Sequence, residues 1–178
     1  MFHKNNNEWA YPFLYDQVDS LMCDFEILTD EISSLIGWVR SLLPQGDPLR
    51  GELLEVAGKV YDLNGSLRGR CAISEEDISS LSALCDAYSH YASDAGTPFV
   101  IPVGHPAACA AHVARTRAKA AVRLLYREHE RMPKEHDAVL IRYANVLSNY
   151  MFLLALKINA EQGVGEVPFT SKSYGKQQ

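Results

Sequence analysis

A bundle of five helices, all-α in class, is what this 178-residue sequence predicts. Three observations carry that expectation. Apolar residues recur at intervals of three and four over long runs, the period of one helix face. Clusters at Pro44-Gln45-Gly46, around Gly65 and at Gly96-Thr97-Pro98 cut those runs into segments. The alternation of a half-buried strand is nearly missing, apart from one short apolar run that starts at Phe99 and breaks at Pro102 and Gly104.

The first segment places Val18, Leu21, Met22, Phe25, Leu28, Ile32, Leu35, Ile36, Val39 and Leu43 on one stripe, and Pro44 to Gly46 stops it. The second runs from about Pro48 to Asn64, with Leu49, Leu53, Val56, Ala57 and Val60 facing inward. The third opens at Ser74, a cap residue followed by three acids that suit the positive end of the helix dipole, and runs to about Ser93. The fourth spans Pro106 to Arg131, with proline at a first-turn position where its missing N–H is harmless. The fifth spans Lys134 to Ala160 on a stripe through Val139, Leu140, Tyr143, Val146, Leu147, Tyr150, Met151, Leu154 and Ile158. Short links between long helices imply antiparallel neighbours. The reading is one domain over residues 1–162, with an N-terminal extension over 1–16 and a flexible tail over 163–178.

Composition narrows the function classes. The hydrophobic share of 47% with 22% charged residues suits a globular chain that buries a core. A net charge of −5, from 17 basic and 22 acidic residues, argues against nucleic acid as a partner. Cys23, Cys71, Cys85 and Cys109 lack metal-ligand or redox spacing and read as buried thiols of a reducing compartment. Met1 to Glu8 is polar and shows no secretion-signal pattern, and no apolar run reaches the ~18 residues of a membrane span. Cytoplasmic placement and no membrane partner follow as expectations. The six histidines form no metal set, so no metal site is expected.

The fourth helix carries Arg115, Lys119 and Arg123 at i, i+4 and i+8, a cationic stripe on an Ala-rich surface. Together with Phe99 and His112 it reads F-V-I-P-V-G-H-P, an Ala-rich step, then H-x-x-R. This resembles the ATP:corrinoid adenosyltransferases of the propanediol-utilisation type, whose motif runs roughly F-[IV]-L-P-G-G, Ala-rich step, H-x-x-R-x-x-x-R-R-A-E-R. Two more segments resemble the family in the right order: Leu28-Thr-Asp30-Glu31-Ile-Ser-Ser34-Leu-Ile-Gly37, and Arg142-Tyr143-Ala-Asn145-Val-Leu-Ser148-Asn149-Tyr150-Met-Phe152.

The resemblance implies a five-helix homotrimer that transfers adenosyl from ATP to cob(I)alamin at sites between subunits. It assigns Phe99 to the face under the corrin, where an apolar ring excludes the lower axial ligand. It assigns Asp30 and Arg115 to an intersubunit ion pair, Lys119 and Arg123 to phosphate, and Asn145 to a hydrogen bond at the nucleotide or corrin boundary. His105 stands where the motif has glycine and is a candidate ligand-binding side chain. Each residue also has a plainer role: Phe99 in packing, Asp30 on a solvated face, Arg115 and Arg123 in salt bridges.

The departures are specific. Family members begin with a segment like T-R-T-G-D-x-G-x-T that wraps the triphosphate, whereas residues 1–24 here hold no glycine. An arginine of R-R-A-E-R is Ala120, its glutamate is Val122, and Asn149 stands where the third motif has aspartate. The aromatic cluster Trp9, Tyr11, Phe13 and Tyr15 occupies the stretch of the missing loop, as packing or as a surface for a flat ligand. Weakened binding of ATP and Mg²⁺ is the expectation, with corrinoid binding kept. Three readings stay open: an adenosyltransferase, a corrinoid- or tetrapyrrole-binding scaffold that has lost the ATP chemistry, or a purely structural trimer with no ligand.

Overall fold

The computed structural model describes residues 3–5, 8–10, 20–94 and 99–173. Five helices make up the bundle: α1 (Met22–Ser41), α2 (Leu49–Ser66), α3 (Glu75–Asp94), α4 (Pro106–Arg131) and α5 (Asp137–Glu161). Their boundaries follow local chemistry. The Asp47 carboxylate accepts the Leu49 N–H at the start of α2. Ser74 and Asp77 bond reciprocally at the start of α3, side chain to backbone in both directions. The N–H of Lys134 donates to Asp137, whose other neighbour is the His129 ring at 2.8 Å, and this closes the α4–α5 turn. At the far end of α5, Gly163 has φ +68°, and the N–H groups of Gly163 and Val164 return to the carbonyls of Ala160 and Asn159.

Packing follows the helical stripes. α1 lies against α2 and α4, α4 against α5, and α5 against α3. The α4 alanines at 107, 108, 110, 111, 114, 118 and 121 are all buried, so small side chains let α4 come close to both neighbours. α5 is apolar on most of its circumference because it is sandwiched between α3 and α4. By length and mean composition α5 would pass for a membrane span, although no unbroken apolar run in it approaches that length; its packing between α3 and α4 fits a core helix. A polar tie joins three helices: Glu52 of α2 accepts from the hydroxyls of Tyr88 on α3 and Tyr150 on α5, at 2.7 and 2.6 Å.

Short strands complete the chain. β1 (His3–Asn5) and β2 (Glu8–Ala10) pair antiparallel with Lys4 opposite Trp9. Tyr11, Phe13 and Tyr15 lie outside the described residues. β3 (Val100–Ile101) pairs antiparallel with β4 (Val167–Pro168), so the stretch after Gly163 returns to the segment that carries Phe99. The four cysteines are thiols rather than disulfides, and they are half-buried rather than fully enclosed.

Candidate active site

Phe99, Arg115 and Lys119 line one cleft of about 150 Å³, together with Val100 from the β3 segment and Ser148, Asn149 and Phe152 from α5. The sequence separates these residues by as many as 53 positions, from Phe99 to Phe152; the α4–α5 packing and the β3 segment bring them together. Phe99 is 59% exposed, so its ring forms a lip rather than part of the core. Arg115 stacks its guanidinium over the Phe152 ring at 5.7 Å from the centroid. The Nε of Arg115 is enclosed with no hydrogen-bond partner among the described residues, and burial lowers the pKa of the group. No carboxylate lines the cleft, and among the described residues none pairs with Arg115 or Lys119. The result is a small cationic recess with aromatic walls, suited to an anion beside an apolar ring.

Arg123 is not in that cleft. An α-helix turns by about 100° per residue, so a residue at i+8 is rotated about 80° from its origin. The stripe therefore divides: Arg115 and Lys119 face the α5 side, while Arg123 lies with Arg117, Arg127, Asp24 and Ala120 in a groove of about 530 Å³ between α1 and α4. The expected single cationic face is two neighbouring ones. Glu31 pairs with Arg117 at this groove.

The remaining predicted residues fall as follows. Asp30 is exposed on α1 and accepts from the Tyr61 hydroxyl at 2.6 Å; within one chain it does not meet Arg115. Asn145 is exposed on α5, one turn before Asn149 on the same face, outside the cleft lining. His105 caps α4, with its Nδ1 accepting the Ala107 N–H at 3.2 Å. An accepting Nδ1 makes Nε2–H a donor, so the ring in this state is no metal ligand. Among the described residues no group of three potential metal ligands exists.

His112 carries no signal in the sequence beyond its place in the motif, yet it borders the site. It is 3% exposed, neither ring nitrogen has a partner among the described residues, and the ring lies 6.1 Å from that of Phe152. Burial first, and the Arg115 charge second, push its pKa down to about 4. The unfolded chain then binds one proton more than the folded chain between about pH 4 and 6.5, so stability falls as pH falls through that window. The slope is at most about 1.4 kcal/mol per pH unit. Denaturant melts at pH 4.5 to 7 (roughly the window set by that shift) are expected to lose this slope in His112→Phe. An unchanged pH dependence in the variant would show that His112 titrates normally in the fold.

The family model for cobalamin adenosyltransferase matches residues 22–158, from the first residue of α1 almost to the end of α5. A corrinoid adenosyltransferase of Bacillus subtilis is 34% identical over 162 residues, spanning 85% of this chain and 81% of that one. The chain belongs to the cobalamin adenosyltransferase family. A Mycobacterium bovis corrinoid adenosyltransferase is 26% identical over 148 residues, covering 76% of this chain and 74% of the other. Among solved structures, an arginine-to-lysine variant of the PduO-type ATP:co(I)rrinoid adenosyltransferase of Lactobacillus reuteri, complexed with ATP, aligns with a TM-score of 0.74. That alignment has 22% identity over 95% of this chain and 94% of that one. A phenylalanine-to-alanine variant of the same enzyme, complexed with cobalamin and ATP, also gives 0.74, at 21% identity over 92% and 91%. At such identities the structural likeness is one of fold. The family match begins after the glycine-free N-terminal segment.

Proposed function

We propose that this chain transfers the adenosyl group of ATP to a cob(I)alamin-type corrinoid. The observation that carries the reading is the cleft in which Phe99, Arg115 and Lys119 converge, built from two of the three segments that resemble the family. In the two Lactobacillus reuteri variants the altered phenylalanine and arginine lie twenty positions apart, as Phe99 and Lys119 do here.

In this account the corrinoid binds with the Phe99 ring against its lower face, which excludes the axial ligand from Co(II). Four-coordinate Co(II) is easier to reduce, and an external one-electron donor supplies the electron. The Co(I) lone pair then attacks C5′ of ATP. A Co–C bond forms, the C5′–O bond breaks, and triphosphate leaves with the electron pair. Lys119 takes up charge on the phosphates, with Arg123 contributing from the adjoining groove, and Asn145 donates or accepts at the edge of the nucleotide. Asp30 of one subunit meets Arg115 of another in a homotrimer, which would supply the anion that Arg115 lacks among the described residues of its own chain. The cysteines, none of them in a disulfide, suit a reducing compartment, and we place the protein in the cytoplasm.

The reading is tested by separate calorimetric titrations of the purified protein with Mg-ATP and with cobalamin, alongside light scattering. Binding of both by a species near three times the 19.8 kDa chain mass is the expected outcome. The residues Ala120 and Val122, which supply neither charge nor metal ligand, favour a second reading as a corrinoid-binding scaffold. Cobalamin binding with no Mg-ATP binding would establish that reading; binding of neither would remove both.

A further inference from the structure

The loop that presents Phe99 is not held by the apolar core: Phe99, Ile101 and Val103 are 59, 41 and 42% exposed. Among the described residues, two polar devices hold it. The first is Asn159 in the last turn of α5, whose side chain is fully buried. Its Oδ1 accepts the His105 N–H at 2.9 Å, and its Nδ2 donates to the Val103 carbonyl at 3.1 Å and to Glu166 Oε1 at 2.9 Å. Between the two loop contacts stands Gly104, with φ +125°, where an added Cβ would lie 2.3 Å from Asn159 Oδ1. The turn is thus moulded onto the carboxamide, and only glycine fits there. The second device is β4. Beyond Glu166, Val167 and Pro168 pair with Ile101 and Val100, and the Phe169 N–H donates to the Phe99 carbonyl at 3.0 Å. Asn159 touches both halves of this arrangement, and through Glu166 it anchors the strand that bonds to Phe99 itself.

We infer that Asn159, acting with Glu166, is a positioning residue that fixes the Phe99 loop so that the ring stays against the corrin. The inference rests on the proposed role of Phe99. Exclusion of an axial ligand is steric, and a ring that samples several positions lets the ligand return. Loosening the clamp therefore lowers the four-coordinate Co(II) population and the turnover. The phosphate contact proposed for Lys119 on α4 stays in place.

The test uses Asn159→Ala, Gly104→Ala, Glu166→Ala and Glu166→Gln, with Phe99→Ala as reference. It reads kcat and KM for ATP, and the optical and electron paramagnetic spectra of cob(II)alamin bound with ATP. Asn159→Ala and Gly104→Ala are expected to lower kcat at least tenfold and to shift the bound Co(II) toward five-coordination, with KM for ATP changed less than threefold. Glu166→Ala should behave likewise to a lesser degree, and Glu166→Gln, which keeps an acceptor oxygen, should restore the wild-type spectrum. If Asn159→Ala fails to fold, Gly104→Ala and Glu166→Ala carry the test from outside the helical core. Folded variants with wild-type coordination and turnover, beside an inactive Phe99→Ala, would overturn the positioning role alone. An unchanged Phe99→Ala would overturn the reading of Phe99 and this role with it.

Discussion

Replacing Phe99 with alanine is expected to lower adenosyl transfer by at least about a hundredfold, a loss of about 2.7 kcal/mol of barrier lowering. The ring is 59% exposed at the mouth of the cleft, so its removal takes little from the apolar core and should barely move the melting temperature. The loss falls instead on the reduction step: with the ring gone, an axial ligand reaches Co(II), and the harder reduction limits kcat. Affinity for ATP should change little because Lys119, the proposed phosphate contact, stands on α4, a separate element. Steady-state kinetics with the corrinoid supplied as Co(II) and again as Co(I) checks this. The defect should shrink when Co(I) is supplied. A kcat within threefold of wild type from Co(II) would show that Phe99 is an ordinary lip residue.

Arg115→Ala carries the other large effect. The guanidinium is half-buried over Phe152, its Nε is enclosed without a partner, and no carboxylate of its own chain pairs with it among the described residues. If Asp30 of another subunit completes it, removing one partner leaves a desolvated charge uncompensated, at a cost of about 3–5 kcal/mol. Arg127 on the same helix is exposed in the α1–α4 groove and serves as the control. Sedimentation and thermal melts should show Arg115→Ala dissociating or melting well below wild type and Arg127→Ala near it. A double-mutant cycle with Asp30→Ala should show strong coupling, since the Asp30 contact with Tyr61 is exposed and cheap to lose. Equal effects of the two arginine substitutions, or additive effects in the cycle, would contradict the intersubunit pair.

The bundle is legible in the sequence because each helix carries its period and its stops together. Ser74 and Pro106 mark starts, Pro44 and Gly163 follow ends, and the apolar stripes name the buried faces. The β3–β4 pairing is not legible, since a two-residue strand has no alternation to read and its partner lies in a Gly-rich tail. His105 misleads: capping is expected from Ser, Thr, Asp or Asn, and here an imidazole nitrogen does the same work. The cationic stripe looks like one face because i, i+4 and i+8 are equivalent on paper; the drift of an uncoiled helix moves Arg123 into another groove. Asn159 has no motif to announce it. Its importance comes from contacts with a loop more than fifty residues earlier and with the segment just beyond.

The proposed reaction is formation of a Co–C bond from ATP by a chain whose first 24 residues hold no glycine. Anaerobic incubation of the purified protein with cob(I)alamin and Mg-ATP, followed by chromatography of the corrinoid and assay of triphosphate, tests it directly. Adenosylcobalamin and triphosphate are expected in equal amounts, turning over beyond one equivalent per site. Recovery of unmodified corrinoid from protein that demonstrably binds cobalamin would contradict it.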